Sequence, residues 1–290
     1  AATEFKPPKV LFVQQDVPPV GSQPELSGIV KSQRYQDVWW VHNDSGNAPA
    51  LYPIDAEGRL VALFRGARER GHGIEILNAS NVDWEDIALT DGWLYVADLG
   101  NNGNARRDLG IYVIAEPNPQ AIEKTRALAY IPIVYPEQQQ FPAAQWHFDA
   151  EALFTDGRAL FVITKHRSRR DKLTRGAHVY MLDLSTISPL LPNPLQRVDT
   201  HPSIGEATAA DLSPDGRWLA VLAVQRLWFF IRPQDGLRWL TGAPGFAFSV
   251  PLPTNIGQAE ALSWDDNQSL RIVTENDAKL VTVKLALPLP

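Results

Sequence analysis

Short apolar runs recur along this chain, and a turn-forming pair repeatedly joins one run to the next. LTDGWLYV (89–96), FTDGRALFV (154–162) and LSPDGRWLAV (212–221) each carry Asp-Gly ahead of an apolar strand. Asp-Gly supplies the positive φ that tight hairpins need. SWDDNQSLRIV (263–273) is a looser version, and SQRYQDVWWV (32–41) has a longer turn. The pattern predicts third strands at ALYPID, GIYVIAE, AHVYMLD, RLWFFIR and KLVTVKL, and fourth strands at RLVALFRG, RALAYIPIVY, LQRVDTH and FAFSVPL. No stretch keeps a helical period.

Ahead of each hairpin stands one five-residue pattern: an acidic or polar residue, a spacer, Ser, Glu or Ala, a spacer, then Ile or Leu. The copies read ELSGI, DWEDI, DAEAL, TAADL and QAEAL. Their third positions are Ser27, Glu85, Glu151, Ala210 and Glu260, at steps of 58, 66, 59 and 50 residues. Self-similarity at this period, with strand signals throughout, predicts an all-β fold: a five-bladed β-propeller with four-stranded blades. The fifth repeat lacks a fourth strand, and KVLFVQQ (9–15) is the spare run that could complete it. Such a closure by the N-terminal strand joins both termini in one blade and removes exposed sheet edges.

The chain has 290 residues, 44% of them hydrophobic, with nine Trp, seven Tyr and eleven Phe, enough for a large core. No Gly/Ser-rich or charged linker divides it, so one domain over 1–290 is expected. A net charge of −6 without a basic face argues against nucleic acid as a partner. The absence of Cys excludes disulfides, thiolate metal sites and cysteine nucleophiles. No apolar run approaches the roughly 18 residues that span a bilayer. The first residues, AATEF, suit a chain released after a small-residue cleavage site, so a secreted or periplasmic location is expected. A monomer is the expected state.

In a propeller the innermost strands line one axial channel, so the five pattern residues converge there. Three carboxylates at close quarters must raise their pKa values or hold a cation. Ser27, Glu85, Glu151 and Glu260 are therefore candidate metal ligands. An all-oxygen shell favours Ca²⁺, with Mg²⁺ as the second choice because it prefers a tighter octahedron. Solvated strand ends aligned only by repeat descent are the alternative reading.

The order Ser, Glu, Glu, small residue, Glu over the whole chain resembles the calcium-activated nucleotidase (apyrase) family. That resemblance implies a five-bladed propeller with Ca²⁺ on the axis, held through Ser27, Glu85, Glu151 and Glu260. Ala210 departs from it, since the family has Ser there, which leaves only a backbone carbonyl to contribute. HNDSG, DWEDIA and SPDG also resemble uncharacterised secreted bacterial propellers related loosely to β-propeller phytases.

Further polar residues stand where second strands run out, beside the axis: His42, Asn43, Asp44 and Ser45; Asp98, Asn101 and Asn102; Lys165, His166 and Arg167; Gln225 and Arg226; Glu275, Asn276 and Asp277. Acids on some blades and cations on others suit a metal-bound phosphate ester. Asp44 and Asp98 would place metal or water, and Lys165, Arg167 and Arg106 would neutralise phosphoryl oxygens. Turn-forming and solvated basic loops are the alternative reading of the same segments. Six histidines, at 42, 72, 147, 166, 178 and 201, show no paired metal-ligand spacing, so no zinc site is expected. NDSG lacks the nucleophile elbow, and no phosphate loop is present. Trp84, beside Glu85, is the expected aromatic at the axial site. Three function classes stay open: a Ca²⁺-dependent phosphoesterase acting on a nucleotide or other small phosphate ester, a glycan-hydrolysing or glycan-binding propeller, and a non-catalytic scaffold.

Overall fold

The computed structural model describes residues 4–16, 25–169, 172–275 and 279–287. Its strands form five antiparallel meanders in chain order, the blades of a propeller. Blade 1 runs Leu26–Lys31, Trp39–Asn43, Ala50–Ile54 and Ile74–Ile76, from the axis outwards. Blade 2 runs Trp84–Thr90, Trp93–Asp98, Gly110–Ala115 and Ala129–Val134. Blade 3 has the longest strands, Trp146–Thr155, Ala159–Arg169, Lys172–Asp183 and Gln196–Gly205. Blade 4 runs Ala209–Leu212, Trp218–Ala223, Arg226–Ile231 and Phe248–Pro251. Blade 5 takes Ala259–Asp266, Ser269–Thr274 and Lys279–Lys284 from the end of the chain and Leu11–Asp16 from its beginning.

The N-terminal closure is as the repeat count predicts. Leu11–Asp16 pairs antiparallel with Lys279–Lys284, Leu11 opposite Lys284 and Asp16 opposite Lys279. Burial alternates along it, with Phe12 turned inward and Leu11 and Val13 out. The Asp-Gly hairpins also form: Asp91 and Gly92 both take positive φ, 51° and 78°, between the first two strands of blade 2.

Five apolar clusters hold the ring together, one at each junction between neighbouring blades. Blades 1 and 2 meet through Trp40, Ile74, Trp84 and Leu94, blades 2 and 3 through Ile111, Leu153 and Tyr180, and blades 3 and 4 through Phe154, Phe161 and Trp239. Phe229, Trp264 and Ile272 join blades 4 and 5. Trp39, Val41 and Val273 close the circle between blades 1 and 5. The sheet faces are therefore buried on both sides, which is why their strands read as apolar runs with little alternation.

Two details depart from the expected strands. RLVALFRG is not the fourth strand of blade 1: Leu63 and Gly66 bond each other's backbone at 2.9 Å in both directions, which uses up their groups in a local turn. The free edge of Ala50–Ile54 pairs with Ile74–Ile76 instead. Blades 1 and 2 also carry a short fifth strand in parallel, Lys124–Thr125 and Asn193–Pro194. Among the described residues, no helix is long and apolar enough to cross a membrane.

Candidate functional site

Strand pairing fixes where the polar residues gather. Leu26 opposes Asn43, Trp84 opposes Asp98, Asp149 opposes Lys165 and Ala259 opposes Thr274. Innermost strands thus begin where second strands end, at one mouth of the axial channel. Asp44, Asp83, Glu85, Asp98, Asp149, Glu151, Glu260 and Glu275 all stand at this end, against Arg106, Lys165 and Arg167.

The tightest group is Asp44, Asp83 and Glu85, which bring one carboxylate oxygen each to within 4.8 Å of one another. Asp44 comes from the loop after the second strand of blade 1, and Asp83 and Glu85 from the entry to blade 2. Asp83 ends the bend that leads into the strand at Trp84, and both its carboxylate and that of Glu85 lie against Gly100. Gly100 makes the space: a Cβ there would overlap the Asp83 carboxylate and stand 2.5 Å from Glu85 Oε1. Glu85 is only 9% exposed. Its carboxylate makes no hydrogen bond or ion pair among the described residues.

Burial first, and then like charge, pushes Asp83, Glu85, Glu260 and Glu275 up. Asp83 rises to about 7 through burial, Asp44 and Asp149. Glu85 lies well above the usual carboxylate range through burial, Asp83 and Asp44, with Lys165 pulling the other way. Glu260 rises to about 7, chiefly by burial, although its hydrogen bond from Gln258 opposes the shift. Glu275 is also raised, by burial and then by Asp44 and Glu25.

The other predicted ligands have partners within the protein. Ser27 Oγ donates to the Trp84 carbonyl at 3.0 Å and lies 3.2 Å from His42 Nδ1, inside the junction of blades 1 and 2. Glu151 is ion-paired with Lys165, whose Nζ is also 3.6 Å from Asp149 Oδ2. Ala210 donates its N–H to Asp86 Oδ2 at 3.2 Å.

Asp98 accepts from Arg106 Nη1 at 2.9 Å and from the Asp83 N–H at 3.1 Å, so it braces the loop carrying Asp83. Arg167 lies 3.8 Å from Asp149 Oδ2 and donates to Asn102 Oδ1 at 2.8 Å. Asn101 staples its own loop, accepting from the N–H groups of Ala105 and Arg106 and donating to the Phe148 carbonyl. Asn276 and Asp277 lie outside the described residues.

Trp84 does not line the mouth. It is fully buried, edge-on to His42 at 5.7 Å, because the junction of blades 1 and 2 takes its whole ring. Two acids of the mouth, Asp83 and Asp149, were not singled out from the sequence, although both occupy the first position of the repeated pattern. The histidines are not all scattered either, since His147, His166 and His178 meet on blade 3.

A groove of about 1230 Å³ opens beside the mouth. It lies over blade 4, where the turn between second and third strands is short, and between the longer edges of blades 3 and 5. Glu260 forms part of its wall, with Arg175, Gln225 and Arg226 further along. Acid and base therefore line the same depression.

No protein-family profile matches the chain, and no curated protein matches it by sequence. Similar solved structures include a streptogramin B lyase (11% identity, TM-score 0.45), covering 95% of this chain and 98% of that one. Another is the hydrazine synthase of Kuenenia stuttgartiensis (9% identity, TM-score 0.48), with 91% and 84% covered. A protein of unknown function from Bacteroides thetaiotaomicron (9%, TM-score 0.48) has 96% and 77% covered. At such identities the likeness concerns the fold, and the blade count rests on the strand pairings themselves.

Proposed function

We propose that the mouth holds a divalent cation, Ca²⁺ first and Mg²⁺ second, and that the protein is a Ca²⁺-dependent phosphoesterase whose small phosphate ester lies in the adjoining groove. The observation that supports this best is the buried Glu85 carboxylate, without a partner among the described residues, converging with Asp83 and Asp44. Two oxygens about 2.4 Å from one Ca²⁺ can stand at most about 4.8 Å apart, so a cluster of this spread admits the ion with little movement. All donors are oxygen, which suits a hard cation. Glu260 lies close enough to feel Asp44 and Lys165, and could join the shell.

Bound there, the cation would neutralise the crowded acids and polarise a phosphoryl oxygen or water. Arg226 and Arg175 would meet the remaining phosphoryl charge from the far side of the groove, and Lys165 and Arg167 from blade 3. The mouth carries more acids than bases, so a phosphate would approach only with the metal in place. Trp39, Trp40 and Trp84 are buried and offer no face to a sugar ring, whereas the half-buried Trp228 lines the groove and is the one observation that favours the glycan reading.

Calorimetric titration of chelator-stripped protein with Ca²⁺ should give one site that Glu85→Gln weakens at least tenfold. Release of phosphate from nucleoside di- and triphosphates, phytate and a generic phosphodiester should then depend on Ca²⁺. No Ca²⁺ binding would remove the cation site. Ca²⁺ binding with every ester intact would leave a metal-pinned scaffold.

A further inference from the structure

Blade 3 gathers three imidazoles away from the acidic cluster. His147 is the second residue of its innermost strand, His166 stands near the end of the second, and His178 lies on the third. Pairing slips between Ile163 and His166, which brings His166 opposite Thr174 and turns its ring towards the other two. His178 shares a face with Tyr180 two residues on, and Tyr180 packs against blade 2. The His147 and His166 rings stack at 3.9 Å, and His178 lies 4.5 Å from His166.

We propose that His147, His166 and His178 form a binding site for a borderline divalent transition metal, Zn²⁺ in the first instance, with a fourth position open to solvent. One ring nitrogen from each already lies within 4.8 Å of the others. A tetrahedral shell with Zn–N bonds of about 2.05 Å places its nitrogens about 3.3 Å apart, so the spread is nearly right, and closing the site requires the His147 ring to swing out of its 14° stack on His166 until both in-plane lone pairs face one point. His147, the half-buried member, has no hydrogen bond to its imidazole among the described residues and is the ring able to move.

The surroundings are those of ligands held from behind. His178 Nδ1 meets Thr200 Oγ1 at 2.9 Å, and His166 Nε2 meets Thr164 Oγ1 at 3.1 Å. Each contact fixes one nitrogen and leaves the other for a metal. The chain also clears room: Gly176, at φ +122°, sits where a Cβ would come within 2.8 Å of His166 Nδ1.

A cavity of about 490 Å³, lined by His147, His178, Glu137, Gln138 and Arg197, gives the metal access and room for a bound water. Arg197 Nη1 is 3.5 Å from His178 Nε2 and must withdraw. Glu137, 3.4 Å from its Nε, gives it a place to go. Three nitrogen donors select Zn²⁺, Co²⁺, Ni²⁺ or Cu²⁺ over Ca²⁺ and Mg²⁺, so this site and the oxygen-lined mouth would load independently.

The full chain, stripped with chelator, is titrated with Co²⁺ at pH 7.5 while the visible absorption of Co²⁺ bound by nitrogen is followed. The expected result is one equivalent of bound Co²⁺, displaced by Zn²⁺ and unaffected by excess Ca²⁺. His147→Ala and His166→Gln should each weaken it about a hundredfold. If His166→Gln fails to fold, His147→Ala, at the half-buried position, carries the same comparison. Absence of the Co²⁺ signal in the wild type, or affinity unchanged in a folded variant, would overturn the assignment.

Discussion

The Asp86 carboxylate accepts the backbone N–H of Ala210 at 3.2 Å, although the two residues belong to blades 2 and 4, which are not neighbours in the ring. The same oxygen accepts the N–H of Leu153, on blade 3, at 2.9 Å, and the other accepts from Ile87. One fully buried side chain thus ties three innermost strands together across the channel.

Replacing Asp86 by Ala strands buried backbone donors, at about 1–3 kcal/mol each. Asp86→Ala should therefore lower the unfolding free energy by several kcal/mol in urea titration, whereas Asp86→Asn, which keeps an acceptor, should lose far less. Equal losses would mean that packing, not hydrogen bonding, makes this residue matter.

Blade 5 depends on the chain's beginning. Besides the six-residue ladder of Leu11–Asp16, Phe5 packs 5.9 Å from Trp218 and 5.3 Å from Phe246, and Val10 and Phe12 join the junction of blades 4 and 5. Full burial of such a side chain stabilises by about 1.5–3 kcal/mol, and these three, partly buried, each contribute a share of that. Removing residues 1–16 should lower the urea midpoint strongly or abolish folding. An unchanged midpoint would show that the ring closes without that strand.

Blade number, hairpin positions and the N-terminal closure were legible because buried strands, Asp-Gly turns and a fixed period are local signals. The fourth strand of blade 1 was not, since Ile74–Ile76 is three residues long and only the local turn at Leu63–Gly66 excludes its competitor. At the mouth, Glu85 and Glu260 could be read from the repeat. Asp83 and Asp149 sat in the same pattern two residues earlier, and that fixed offset is the signal that places them beside their partners. Nothing local joins His147, His166 and His178, which meet only through cross-strand register.

Lys165 is the cation that holds Glu151 and Asp149 together, and it also opposes the raised pKa values of Glu85 and Glu260. Removing one partner of a buried pair costs about 3–5 kcal/mol. Lys165→Met should destabilise the protein by that order in calcium-free buffer. It should also make stabilisation by Ca²⁺ larger than in the wild type, because the ion then neutralises what the ammonium did. Thermal unfolding with and without Ca²⁺ measures both, and a Ca²⁺ response smaller than that of the wild type would count against a cation at this mouth.

Asp211 accepts the Trp264 N–H at 2.7 Å between blades 4 and 5, and burial raises its carboxyl to about 7. The native state then holds a proton that the unfolded chain, with a pKa near 3.8, has lost. Its contribution is present below pH 3.8 and is lost as pH rises through about 7. Asp211→Asn should therefore gain on the wild type between pH 4 and 7, by on the order of 2–3 kcal/mol after solvent screening. A stability difference independent of pH would show that Asp211 ionises normally in the folded protein.

Gly100 lies directly behind the two acids proposed to hold the cation. Alanine there would push on Asp83 and Glu85 without touching the donor set, since its Cβ needs the space their carboxylates fill. A displacement of an ångström is large against a coordination shell of 2.3–2.6 Å. Gly100→Ala should weaken Ca²⁺ at least tenfold by calorimetry. Asp98, two residues earlier, keeps its backbone pairing with Gly110, so far-ultraviolet circular dichroism should stay that of the wild type. Undiminished Ca²⁺ affinity in a folded Gly100→Ala protein would place the ion elsewhere in the mouth, away from Asp83 and Glu85.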